Sequence, residues 1–71
     1  MTDKRTGTED PNYDLILVLQ QALEDCVRYQ HFADDSRAGG DTELADFFDE
    51  LAGADREIAE RAKAMLRSRL D

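Results

Sequence analysis

The chain has no tryptophan and a single residue each of cysteine, proline and histidine among its 71 positions. A lone Cys26 cannot build the disulfide framework that a secreted domain of this size normally carries, so the expected setting is reducing and cytoplasmic. Basic residues are outnumbered, with 9 Lys and Arg against 17 Asp and Glu and a formal charge of -8. Such a surface repels phosphate backbones and anionic headgroups, which argues against nucleic acid and membrane surfaces as partners. Long apolar runs are missing too. The longest, Leu15-Ile16-Leu17-Val18-Leu19, is far short of the roughly 20 residues a membrane span needs.

What is present is helical patterning. Residues 1–10 mix Thr, Asp, Lys, Arg, Gly and Glu without periodicity, and the expectation for them is a disordered leader without a targeting signal. Asp10-Pro11 reads as an N-cap followed by proline at the first helical position, where its missing N–H is no loss. From there Leu15, Leu19, Ala22, Cys26, Tyr29 and Ala33 recur at 4,3 spacing, one side chain per turn on one face. Ile16, Leu23, Val27 and Phe32 widen the stripe.

Gly39-Gly40 supplies residues that tolerate positive φ at a helix end, and Asp41-Thr42 supplies the next cap. A second helix is predicted from about Thr42 to Leu70, with Leu44, Phe48, Leu51, Asp55, Ile58, Ala62 and Met65 as its seam. Arg61, Lys63, Arg67 and Arg69 fall towards its end, where cations suit the helix dipole. Period-two alternation is absent. The expected fold is therefore all-α, with residues 11–71 forming an antiparallel two-helix hairpin.

Both stripes are too wide for one partner helix. Ordering roughly 60 helical residues costs on the order of 1.5 kcal/mol each, which burial within one hairpin barely offsets. A homodimer closing an antiparallel four-helix bundle is the expected solution, and higher multiples of it remain open.

Asp55 is the anomaly of the second seam, a carboxylate between Leu51 and Ile58 where a lone buried charge is costly. In a hairpin turning at Gly39-Gly40, facing residue numbers sum to about 80, which sets Asp55 against the stretch from Ala22 to Cys26. Glu24, Asp25 and Cys26 become its candidate neighbours for a metal site. The plainer alternative is that Asp55 reaches water at the edge of the stripe or pairs with Arg28 or Arg56. His31, beside Phe48 by the same count, reads as a boundary residue. Cys26 reads as a small apolar residue, and Tyr29, Phe47 and Phe48 as core and dimer contacts. Gly39-Gly40 lacks the lysine of a phosphate cradle, and neither Ser36 nor Ser68 has a histidine in its turn, so nothing supports nucleotide or hydrolase chemistry.

The stretch ALEDCVRYQHFADDSRAGGDTELADFFDELAGADREIAERAKAM, residues 22–65 and about two thirds of the chain, resembles a two-helix half of the ferritin-like superfamily, nearest to rubrerythrins and encapsulated ferritin-like proteins. The resemblance implies a half-bundle that would complete a di-iron centre with a second half, through one Glu from the first helix and Glu-x-x-His from the second. Asp55 stands where that pattern has Glu and Ile58 where it has His, while the first-helix Glu falls near Ala22 or Cys26. On this resemblance the scaffold is kept and the iron ligands are lost.

Three functions follow as expectations. The first is a non-catalytic homo-oligomer acting as an interaction or accessory module without a cofactor. The second is a divergent protein for iron or another divalent metal, using Asp55 with Glu24, Asp25 or Cys26 from two copies and ferroxidase-like if an enzyme at all. The third is an acidic mimic that presents Asp34, Asp35, Asp41, Asp46, Asp49 and Glu50 to a basic protein partner.

Overall fold

The computed structural model describes residues 10–70, which form two helices, α1 (Pro11–Ala38) and α2 (Thr42–Leu70), joined by a three-residue turn. Residues 1–9 of the expected leader lie outside the described residues. Both helix starts follow from the capping chemistry. Asp10 is extended, and its carboxylate accepts from the backbone N–H of Asn12 at 3.0 Å. Asp41 accepts from that of Leu44 at 3.1 Å. Each cap satisfies one of the orphan donors of a first turn.

The turn is a Schellman closure. Gly40 adopts φ +83, its N–H donates to the Arg37 carbonyl at 3.0 Å, and the Asp41 N–H reaches back to the Ser36 carbonyl at 2.8 Å. These bonds occupy carbonyls that α1 would otherwise leave bare, and only the left-handed conformation, open to glycine, closes them. Asp41 thus ends one helix with its N–H and begins the next with its carboxylate. That double use keeps the connection short and the helices antiparallel.

The expected α1 seam is the observed one. Ala22, Cys26 and Ala33 are buried, and Leu15, Leu19 and Tyr29 are half-buried between them. On α2 the structure corrects the sequence reading. The buried line is Ala45, Ala52, Ala59, Ala62 and Leu66, while Leu44, Ile58 and Met65 are 42%, 42% and 45% exposed. Most of this line is the expected seam turned by one residue, about 100° around the helix.

The reason lies in side-chain size. Ala45, Ala52 and Ala59 recur every seven residues, and alanine at the contact lets helix axes approach towards the short end of the roughly 8–10 Å range. The bulky residues flank this closed seam, and no large side chain among the described residues is fully buried.

Candidate functional site

The two flanks of the hairpin differ. On one, Arg56 of α2 donates to Cys26 Sγ of α1 at 3.7 Å, and Arg37 of α1 bridges Asp49 of α2 at 2.6 Å. On the other, α2 is largely apolar, whereas α1 places Val18 and Phe32 beside Gln21 and the Asp25–Arg28 pair. Leu15 and Val18 of α1 meet Ile58, Ala62 and Met65 of α2 around an open cleft of about 140 Å³. Nearer the turn Phe32 packs on Phe48 with ring centroids 5.3 Å apart, and Phe47 lies against Phe48 at 5.8 Å. Phe47 is 50% exposed, so the aromatic group ends at the surface. Tyr29 joins it edge-on to Phe32 at 6.1 Å.

Asp55 sits halfway along this apolar flank. With Asp25, Gln21, Val18, Ala22 and Ile58 it lines a shallow cleft of about 220 Å³. The layer count therefore set it against the right part of α1. Its expected cation partners are engaged elsewhere: Arg28 pairs with Asp25, and Arg56 turns to Cys26. Asp25 also accepts from the Gln21 side chain at 3.1 Å. Among the described residues no cation lies within ion-pairing distance of Asp55, which is half-buried.

The other candidates disperse. Glu24 is exposed and accepts from Gln20 at 3.1 Å, one turn away on the outer surface. Cys26 is buried at the helix contact and faces the opposite flank from the cleft. His31 is exposed, and Phe32 rather than His31 is the residue that touches Phe48.

Among the described residues no three His, Cys, Asp or Glu side chains converge as a metal site would require. Asp25 and Asp55 share a cleft, but Asp25 already carries Arg28 as counter-ion, and the branched apolar Ile58 fills the adjoining wall. Those residues do not fit a carboxylate- and imidazole-ligated di-iron centre.

The acidic cluster at the turn is spread over exposed positions, and Asp34 and Asp49 both meet Arg37. A shallow hollow lined by Asp41, Glu43, Leu44 and Phe47 lies at this end. Among the described residues no helix is long and apolar enough to cross a membrane.

The sequence reading expects apolar surface beyond what the hairpin covers but places Leu44, Ile58 and Met65 in the seam, whereas they form the exposed flank. The heptad of alanines was the available signal. The chain matches no protein-family model, no curated protein and no solved structure.

Proposed function

We propose that the protein is a non-catalytic, self-associating helical module that completes a four-helix bundle with a second copy and serves as an interaction or accessory component. The observation that carries this reading is the alanine seam. It closes the hairpin with small side chains and leaves Phe47, Ile58, Met65 and Val18 between 42% and 50% exposed along one flank. Exposed apolar side chains grouped in this way, here on either side of Asp55, mark an interaction site.

The scale is right for a stable pair. A helix of 28 residues is about 42 Å long and two helices side by side are about 20 Å across, a face of roughly 800 Å², the area one partner contributes to an ordinary specific interface. The ferritin-like resemblance of residues 22–65 is compatible with such a half-bundle and supports the same reading. Light scattering across a dilution series tests it. A dimer mass at micromolar concentration is the expected result, and a stably folded monomer there would overturn the proposal. Metal analysis of the same sample, purified without chelator, separates this module from a metal protein.

A further inference from the structure

We infer that the second copy docks on the Leu44–Met65 flank with its turn at the opposite end of the bundle, α2 lying antiparallel on the partner's α2. The inference rests on the self-association proposed above and adds to it a face, a direction and a position for the two-fold axis.

Two hairpins stacked face to face can close an all-antiparallel bundle in two ways. Either the turns lie at the same end and each α2 covers the partner's α1, or they lie at opposite ends and α2 covers α2. Charge separates the two. The first half of α2, residues 42–57, carries six acids against the single Arg56, one of them, Asp49, paired with Arg37 on the other flank. The second half, residues 58–70, carries Arg61, Lys63, Arg67 and Arg69 against the single Glu60. The turn end also holds Asp34, Asp35 and Asp41.

Turns at the same end would stack these acidic ends on each other. With turns at opposite ends, the basic half of each α2 lies over the acidic half of the other and the like-charged ends part, although Asp55, next to the axis, stays beside the partner's Asp55. Apolar register agrees. Leu44 and Met65 end the heptad-spaced row Leu44, Leu51, Ile58 and Met65, with exposed Leu70 beyond it, so an axis passing midway along that row falls beside Ala54. There a small exposed side chain permits close approach. Leu44 then opposes the partner's Met65, Leu51 opposes the partner's Ile58, and Arg61, on the wall of the apolar cleft, comes within reach of the partner's Phe47 and Glu50.

The opposite flank divides the other way, with its apolar residues on α1. Ile16, Leu23 and Val27 form a stripe there on α1 alone, because α2 presents Asp49 and Arg56 beside it. A copy docking there would also have to cover the Arg37–Asp49 ion pair that crosses between the helices.

Single cysteines at exposed positions test the arrangement, and circular dichroism confirms that each variant folds. Leu44 and Met65 are 21 residues apart, about 31 Å along the helix. In the opposite-end bundle, Ala54→Cys sits beside its own mate near the axis. Met65→Cys lies about 31 Å from its mate but next to position 44 of the partner. Under mild oxidation Ala54→Cys is expected to cross-link to itself. Met65→Cys is expected to cross-link only when mixed with Leu44→Cys, and the wild type, whose Cys26 is buried, not at all.

Arg61→Glu is expected to weaken the dimer at least tenfold at low salt, with Glu50→Arg added to it restoring most of the loss. A dimer by light scattering with no mixed Leu44/Met65 product, or with Met65→Cys joining itself, overturns the inference and leaves the self-association reading standing. A monomer at every concentration overturns both.

Discussion

Gly53 lies in the middle of α2, and a Cβ built on it meets no atom within 4 Å. Glycine inside a helix costs about 0.8–1.0 kcal/mol relative to alanine through backbone entropy. Gly53→Ala is therefore expected to raise stability by up to about 1 kcal/mol, a rise in melting temperature of roughly 4–8 °C for a domain of this size. An unchanged or lower melting temperature would show that the hairpin needs a bare backbone at that point.

Ala59 is the converse case, 1% exposed on the contact line between the helices. Ala59→Leu forces extra carbons into the closest approach, and a loss of about 1–3 kcal/mol in denaturant unfolding is expected. Residue 53 and residue 59 thus differ in sign although both are small residues on one helix, because one faces open space and the other a neighbouring backbone.

At the scale of elements, both helix starts and the turn were legible in the sequence because capping chemistry is local. Asp10-Pro11, Gly39-Gly40 and Asp41-Thr42 each fix a boundary through bonds spanning no more than five residues. The face that α2 turns inward was not legible in the same way. Leu44, Leu51, Ile58 and Met65 and the line Ala45, Ala52, Ala59 and Leu66 share one heptad period, so periodicity offers two stripes and cannot rank them. Side-chain volume ranks them. The three alanines take the contact within the hairpin, with Leu66 closing its far end, and Leu44, Ile58 and Met65 are left exposed.

For the site, the layer count brought Asp55 opposite Asp25. It could not foresee that Arg28 and Arg56 would be engaged by Asp25 and Cys26. Rotamer choice among nearby partners is a tertiary property. Gly40→Val tests the turn at this same scale. A branched side chain at φ +83 is strained, and about 1–2 kcal/mol of destabilisation is expected, read as a lower denaturation midpoint.

At the scale of the whole molecule, the proposed self-association would link folding to assembly. A ligand that binds only the folded state stabilises it, and under the proposal that ligand is a second copy, so the melting temperature is expected to climb with protein concentration. Asp55 gives that linkage a sharper test. Its carboxylate lies in the middle of the flank proposed for the second copy, and it has no cation partner within ion-pairing distance among the described residues. Drying an unpaired carboxylate is unfavourable, so the residue opposes assembly as it stands. Asp55→Leu removes that penalty and adds apolar area next to Val18 and Ile58. A dimer at least tenfold tighter is expected, corresponding to about 1.4 kcal/mol or more. The same substitution separates the two roles open to this carboxylate. A metal ligand replaced by leucine would lower the metal content of the purified protein and loosen the pair, whereas an uncompensated charge replaced by leucine tightens the pair and leaves metal content unchanged. Dilution-series light scattering and elemental analysis on wild type and Asp55→Leu read both quantities. A weaker dimer in the variant would mean that the carboxylate makes a favourable contact across the interface, and the assignment of Asp55 as an obstacle to assembly would fall.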